Sequence, residues 1–176
     1  MNRNQLEHIL RAAGAITDER DIVVIGSQAI LGSFPEAPSE LLQSMEADAF
    51  PLNAIEKTDL IDGTIGELSP FHETHGYYAH GISPESVVLA DGWIGRLVRV
   101  SSPATAGVIG HCLSPADLAI SKLAAGRDKD FAFVSILLSL NYVRLGMLES
   151  LAALLPAPFG ERVRKNLELL RQRNSH

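Results

Sequence analysis

Two acidic residues, Glu46 and Asp48, are separated by one residue in the segment MEADAF, which we predict to be a β-strand over 45–50. Side chains at alternate positions of a strand point to the same side, so we expect both carboxylates on one face. Two such acids can hold a divalent cation such as Mg²⁺ that bridges to phosphates. Like charges this close repel each other unless a cation compensates them. An exposed strand face that merely carries acids is the alternative interpretation.

A glycine and a serine, Gly26 and Ser27, follow the apolar run DIVVI over 21–25, which we predict to be a strand buried on both faces. Glycine lets the backbone approach a ligand closely. Ser27 opens a short predicted helix over 27–33, and the free N–H groups at a helix start favour an anion such as phosphate. A plain strand-to-helix turn is the alternative.

Basic residues cluster in the segment KLAAGRDKD. Lys122 lies near the end of a predicted helix over 115–125, and Arg127 and Lys129 follow in a turn before Asp130. Such a cluster could neutralise the charge of a triphosphate. Cations are also favourable at any solvated helix end, so composition leaves both interpretations open.

Three histidines, His72, His75 and His80, surround a pair of tyrosines. Their spacing loosely resembles a metal site, yet no cysteine and no helical i, i+4 pair supports zinc. We therefore expect a loop over 61–78 that covers the site or packs on it.

The elements that position these residues are predicted to form a mixed sheet followed by a helical C-terminal part. Strands over 86–89 and 96–100 are expected to pair through an Asp91-Gly92 turn, in addition to the two strands above. The pattern predicts one α/β (α+β) domain over 1–176, with 114–176 as its helical part. The remaining helices are predicted from apolar spacing and capping residues: 3–13 with a stop at Gly14, 53–60, 131–145 with a break at Gly146, 148–155 and 159–173.

Composition narrows the class of protein. The chain has 176 residues, 46% of them hydrophobic, and a net charge of −6, which argues against an extended nucleic-acid-binding surface or binding to anionic membrane. Cys112 is the single cysteine, so no intrachain disulfide is expected, and we interpret it as a small buried residue. The first residues lack the apolar core of a signal peptide, and no segment reads as a membrane span. We predict a cytoplasmic protein.

The segments IVVIGSQAILG and SMEADAFP resemble the opening of the nucleotidyltransferase-like superfamily: a strand, Gly-Ser, a helix, and an acid pair on the next strand. The later LSPADLAISKLAAGRDKDF resembles the downstream block of the AbiEii-like branch, which contains bacterial toxin–antitoxin proteins. DLIDGTIGELSPFHETHGYYAHG and DGWIGRLVRV are also similar to small uncharacterised bacterial members of that branch. The resemblance spans roughly residues 20 to 145.

The resemblance implies an NTP held on Mg²⁺ and transfer of its nucleotide to a protein, RNA or small-molecule acceptor, with a toxin–antitoxin or defence role and a cognate partner protein as further expectations. It implies that Glu46 and Asp48 ligate metal. The other implied roles are phosphate contacts by Gly26 and Ser27, triphosphate binding by Lys122 and Arg127, and an acid or orienting role for Asp130.

Three departures from the family pattern support a second hypothesis. The first acid is Glu46, where the family usually has Asp, and the spacer that precedes it is long and contains two prolines. The expected third acid is absent from RLVRV, and Glu67 and Asp91 are the candidates to substitute for it. The alternative is a catalytically degenerate nucleotidyltransferase fold that binds a nucleotide or a partner protein.

Overall fold

The chain divides into two compact units in a computed structural model that describes residues 1–174, the last of them by its backbone alone. The first unit consists of Met1–Ser86 and Leu97–Ser114, and the second of Val87–Arg96 and Pro115–His176. Within the described residues, the first unit contains every strand and the second is helical. The expectation of a single domain over 1–176 stays a prediction.

The first unit is built on a five-stranded mixed sheet with the order β3-β2-β1-β5-β4. β1 pairs antiparallel with β2 and parallel with β5, β2 pairs parallel with β3, and β4 pairs antiparallel with β5. This sheet and its flanking helices confirm the α/β class. The strands are β1 (Asp21–Val24), β2 (Glu46–Pro51), β3 (Tyr78–Gly81), β4 (Val98–Val100) and β5 (Ile109–Cys112).

The two strands predicted to carry the chemistry are both present. β1 has three fully buried residues, Ile22, Val23 and Val24, because it lies between two other strands and is covered on both faces. β2 begins and ends one residue later than predicted. These matches confirm the strand predictions over 21–25 and 45–50 to within one residue at each end.

The predicted pairing of 86–89 with 96–100 is wrong. Gly92 does adopt the positive φ of a turn, at 77°, but a short 3₁₀ helix over Trp93–Arg96 follows it instead of a strand. The guanidinium of Arg96 donates hydrogen bonds to the carbonyl oxygens of Ala90 and Asp91 at 3.2 and 3.0 Å. Two carbonyl groups beside the turn thus bond to a side chain, and β4 pairs with β5 instead.

Helix α1 (Arg3–Thr17) is longer than predicted, because Gly14 does not end it. A Cβ atom at Gly14 would collide with the side chain of Val108, so the glycine permits a close approach rather than a stop. The helix ends at Asp18, which adopts the left-handed conformation with φ 54°.

The predicted loop over 61–78 is also wrong in part. A 3₁₀ turn leads into α3 (Thr58–Ile65), which includes the first residues of the predicted loop. A second helix, α4 (Pro70–His75), follows within the same segment. The Ser69 hydroxyl caps α4 by accepting from the amide of His72 at 3.1 Å. Ser69 and Pro70 therefore start a helix, within a segment whose glycines and histidines led us to predict a loop.

The second unit contains four described α-helices. Two of them match their predictions: α5 (Pro115–Ala125), and α8 (Phe159–Asn174) to within one residue. The predicted helix over 131–145 is instead α6 (Asp128–Ser139), because Asn141 takes a left-handed φ of 57° and ends it early. Gly146 lies inside α7 (Leu145–Ala152), and α8 (Phe159–Asn174) follows. No helix among the described residues has the length and apolar character needed to cross a membrane.

The sheet of the first unit has two different faces. Helices cover one of them, since Leu10 of α1 packs on Gly110 and Gly32 of α2 (Ile30–Ser33) packs on the buried Cys112. Side chains alternate between the two faces along each strand. Together with the register of the strand pairs, this alternation places most of the titratable side chains of the strands on the opposite face. We call this opposite side the polar face, and its polar residues are Asp21, Glu46, Asp48, Tyr78, His80, Arg99 and His111.

Candidate functional site

Glu46 and Asp48 lie on the polar face of β2, two residues apart on one strand. Ala47 and Ala49, which alternate with them, are fully buried on the helix-covered face. β2 is an interior strand, bonded to β1 on one side and β3 on the other, and this pairing fixes the backbone beneath both acids. Both carboxylates therefore share one face, as the spacing predicted.

His80 joins the two acids from the neighbouring strand. β3 runs parallel to β2 with Asp48 and His80 in register, so the imidazole stands beside the carboxylates. Its Nδ1 atom lies 3.2 Å from Oδ1 of Asp48 and 3.4 Å from Oε1 of Glu46. One ligand atom from each of the three residues lies within 4.8 Å of the other two.

His80 groups with two other histidines in the sequence, and its position beside Asp48 was not predicted. Its sequence signal is the alternation of Tyr78, Ala79 and His80, in which Ala79 is fully buried on the other face. The hydroxyl of Tyr78 donates to Oε2 of Glu46 at 2.9 Å. β3 thus supplies a third donor to the site and an orienting group for the first acid.

Gly26 lies directly against Asp48. A Cβ atom at Gly26 would collide with the Asp48 carboxylate, and Gly26 has an ordinary φ of −82°. Space rather than backbone conformation therefore requires glycine here. Ser27 begins only a 3₁₀ turn, Ser27–Ala29, before the four-residue α2, so its contact with phosphate stays a prediction.

The pKa values of Glu46, Asp48 and His80 are shifted, in part because the two acids lie close together. Burial is the largest influence on the pKa of Asp48 and, with the carboxyl group of Glu46, raises it to about 6. Burial also acts to raise the pKa of Glu46, but hydrogen bonds with Asp48 and Tyr78 lower it overall. Burial opposes the charged form of His80, yet the two carboxyl groups raise its pKa overall. The group concentrates negative charge that a bound cation would offset.

Lys122 and Arg127, two of the basic residues identified from the sequence, form an ion-pair group with Asp130 in the second unit. Asp130 is fully buried and accepts from Arg127 Nε at 2.6 Å and from Lys122 Nζ at 3.4 Å. Burial acts to raise the pKa of Asp130, but the Arg127 hydrogen bonds and both cations lower it overall. The Lys122 ammonium also lies 4.8 Å from the ring centre of Phe133. An ionised Asp130 held by two cations can orient Lys122, and it caps the start of α6 as well.

Comparison with protein families decides the class of the chain. Residues 4–167 match the family described as nucleotidyltransferase of unknown function (DUF6036). The chain belongs to this family. The match includes both units and every predicted site residue, and it supports the nucleotidyltransferase-like prediction. Comparisons with curated proteins and with solved structures gave no match.

In this family member, the other two histidines pack against aromatic rings. The His72 ring packs on Tyr78 with centroids 4.6 Å apart, and His75 packs on Phe71 with centroids 4.7 Å apart. Neither histidine belongs to the group of potential metal ligands found among the described residues, and nor do Glu67 and Asp91, the possible substitutes for a third acid. The position beside Asp48 carries an imidazole.

Proposed function

We propose that this chain is a divalent-cation-dependent nucleotidyltransferase that moves a nucleotide from an NTP to an acceptor. The observation that carries the proposal is the convergence of Glu46, Asp48 and His80, whose ligand atoms lie within 4.8 Å of one another. Two carboxylates and an imidazole form a donor set that fits a divalent cation. Membership in a family of nucleotidyltransferases supports the reaction class. Mg²⁺ is the ion that the sequence resemblance implies.

In the proposed reaction, an acceptor oxygen forms a bond to the α-phosphorus of the NTP as the bond to the bridging oxygen breaks and pyrophosphate leaves. This transfer depends on positioning and charge neutralisation more than on covalent participation by the protein. A divalent cation, when bound, neutralises charge on the phosphates. Glu46 and Asp48 would ligate it, and the Tyr78 hydroxyl, 2.9 Å from Oε2 of Glu46, orients that carboxylate.

Binding of the triphosphate is the proposed role of the remaining site residues. Close approach of the backbone at Gly26, followed by Ser27, would give the phosphates amide and hydroxyl donors. In the second unit, Lys122 and Arg127 would supply positive charge. Asp130 contacts both cations and would hold Lys122 in a fixed orientation.

Transfer of label from an NTP tests the proposal. Purified chain is incubated with α-labelled NTPs, cell extract and either Mg²⁺ or Mn²⁺. We expect wild type to label an acceptor and Asp48→Asn to lose labelling, while Glu36→Gln, at an exposed acid outside the site, keeps it. Absence of labelled product with both cations, or equal labelling by Asp48→Asn, would overturn the proposal.

The biological setting proposed for this reaction follows the sequence resemblance. We propose a place in the AbiEii-like branch, a cytoplasmic location, a protein or RNA acceptor, and a role in a toxin–antitoxin or defence system with a cognate partner. Expression of the chain alone and together with its chromosomal neighbour tests this setting. We expect that expression of one of the two combinations arrests growth and that Asp48→Asn abolishes this effect. Growth that is the same with wild type and Asp48→Asn contradicts the proposed setting.

A second candidate function is a binding module that keeps the fold without turnover. The specific observation in its favour is that the β3 position in register with Asp48 carries the imidazole of His80 and not a third carboxylate. Titration with NTP distinguishes the two candidates. Saturable binding without transfer supports the module, and robust transfer excludes it.

A further inference from the structure

We infer that His80 is a metal ligand and that the site selects a transition-metal cation, with Mn²⁺ as the representative, over Mg²⁺. The inference rests on the proposed function in that it concerns the cation of the same site. It depends on the geometry of three side chains on the polar face: Glu46, Asp48 and His80.

The spacing of the donor atoms already suits a shared ion. His80 Nδ1 lies 3.2 Å from Asp48 Oδ1 and 3.4 Å from Glu46 Oε1. Two ligands about 2.1 Å from an ion, at angles of about 90–110°, lie about 3.0–3.4 Å from each other. The two measured separations therefore match those of adjacent ligands around one cation. Binding requires no movement of β2 relative to β3.

The positions of the three groups are set by the backbone rather than by flexible loops. Asp48 and His80 are register partners on paired parallel strands, and Glu46 is likewise the register partner of Tyr78. The exposed fraction of the side chain is 47% for His80, 35% for Glu46 and 24% for Asp48. A cation can thus reach the site from solvent and meet donors whose Cβ atoms are already aligned on one face.

The donor chemistry argues for a transition metal. Mg²⁺ prefers oxygen ligands and gives up its water reluctantly, whereas imidazole nitrogen suits first-row transition metals. A set of one nitrogen and two carboxylate oxygens leaves further coordination positions for phosphate or water. A third carboxylate at the same position would instead produce an all-oxygen site suited to Mg²⁺.

A competing interpretation is that the His80 imidazole acts only as a positive partner for the two acids. In that case it occupies the place of the cation, and its removal would strengthen the binding of any divalent ion. The ligand interpretation requires the opposite change, and it requires that change for Mn²⁺ specifically. The two interpretations therefore differ in the sign of one measurable quantity.

Binding of Mn²⁺ alone and of Mg²⁺ alone to the full chain tests the inference. Calorimetric titration at pH 8 without nucleotide is carried out on wild type, His80→Ala, His80→Asp and the control His75→Ala, which removes an exposed imidazole outside the group. We expect Mn²⁺ to bind wild type at least tenfold more tightly than Mg²⁺. His80→Ala should lose about tenfold in Mn²⁺ affinity with little change for Mg²⁺, and His80→Asp should shift the preference toward Mg²⁺. His75→Ala should match wild type.

Electron spin-echo spectroscopy of bound Mn²⁺ supplies a direct readout of the ligand. Modulation from a coupled ¹⁴N nucleus is expected in wild type and His75→Ala and should vanish in His80→Ala. Circular dichroism of each variant verifies that it is folded. No Mn²⁺ binding by wild type, an unchanged Mn²⁺-to-Mg²⁺ ratio in His80→Ala, or tighter Mn²⁺ binding by that variant overturns the inference.

The metal-binding measurements and the label-transfer assay can have opposite outcomes. Nucleotide transfer supported by Mg²⁺, with an unchanged metal ratio in His80→Ala, would overturn the role of His80 and leave the proposed function in place. Selective Mn²⁺ binding through His80 without any transfer of label would leave the metal site in place and overturn the proposed function.

Discussion

Gly26, just beyond the end of β1, lies against the carboxylate of Asp48 on the adjacent strand β2. The amide of Ile25 donates to the carbonyl oxygen of Asp48 at 3.0 Å, and the next residue, Gly26, has no side chain where the Asp48 carboxylate lies. The absence of a side chain at Gly26 thus leaves room for the Asp48 carboxylate. This contact links two sequence signals that are 22 positions apart in the numbering of the chain.

Gly26→Ala should displace the Asp48 carboxylate, because the added methyl group needs the same space. A catalytic group displaced by about 1 Å can cost about 100-fold in rate, so we expect a loss of that order in label transfer and a parallel loss of Mn²⁺ affinity. The matched control is Gly63→Ala within α3, where a Cβ atom meets nothing within 4 Å. That control should stabilise the fold by about 0.5–1 kcal/mol, measured by thermal unfolding. Wild-type transfer and metal affinity in Gly26→Ala would contradict the prediction.

Asp48→Asn should stabilise the cation-free fold at pH 8. The folded pKa of Asp48, about 6, lies above its ordinary value of 3.8, so this acid favours folding in its protonated form. Its contribution is present below about pH 4 and is lost as the pH rises through 6. We expect the variant to exceed wild type by about 1–3 kcal/mol at pH 8 and by much less at pH 4.

Denaturant unfolding across this pH range measures the difference. Glu36→Gln, at an exposed acid outside the site, is the control. If the free energies of unfolding of wild type and Asp48→Asn change with pH in parallel, folding does not raise the pKa of Asp48 and the prediction is wrong.

Lys122→Met should weaken NTP binding without unfolding the chain. The substitution keeps the aliphatic stem but removes the ammonium group, while Asp130 keeps its contacts with Arg127. We expect KM for NTP to rise about 10–100-fold, because charge-assisted bonds to phosphate are among the stronger polar contacts. Lys129→Met, at an exposed position in the same segment, is the control. A normal KM in Lys122→Met would assign this lysine a purely structural role.

Arg96→Ala should destabilise the second unit. Arg96 donates to both carboxylate oxygens of Asp117, at 2.9 and 2.8 Å, and Asp117 is fully buried. Truncation of Arg96 removes a charged partner from a buried carboxylate, so we expect a loss of about 2–4 kcal/mol in the free energy of unfolding. Arg164→Ala, at an exposed arginine of the same unit, should change it by about 0.5 kcal/mol or less. Equal unfolding midpoints for the two variants would refute the prediction.

Local patterns were sufficient where a single physical rule determines the outcome. The apolar β-branched run at 21–25 predicts β1, and alternation predicts that Glu46 and Asp48 share a face of β2. Ser114-Pro115 predicts the start of α5, because capping and the fixed φ of proline act locally. The fold class and the acid pair could therefore be deduced from the sequence.

Long-range pairing accounts for what the sequence did not reveal. His80 becomes a neighbour of Asp48 only because β3 aligns parallel to β2, and a four-residue strand carries too short an alternation to identify it. The hairpin predicted around Asp91-Gly92 failed because Arg96 bonds to the carbonyl oxygens beside the turn. A turn signal defines the bend but not the partner of the chain that leaves it.

The interior location of β2 has an evolutionary consequence. Glu46 and Asp48 sit on a strand that is hydrogen-bonded on both sides, so a backbone shift at either acid would disrupt two ladders at once. Natural variation should therefore be tolerated better in the segments that connect the strands than at the two acids. The architecture separates the fixed arrangement of the two acids from connecting segments that can vary in length and composition.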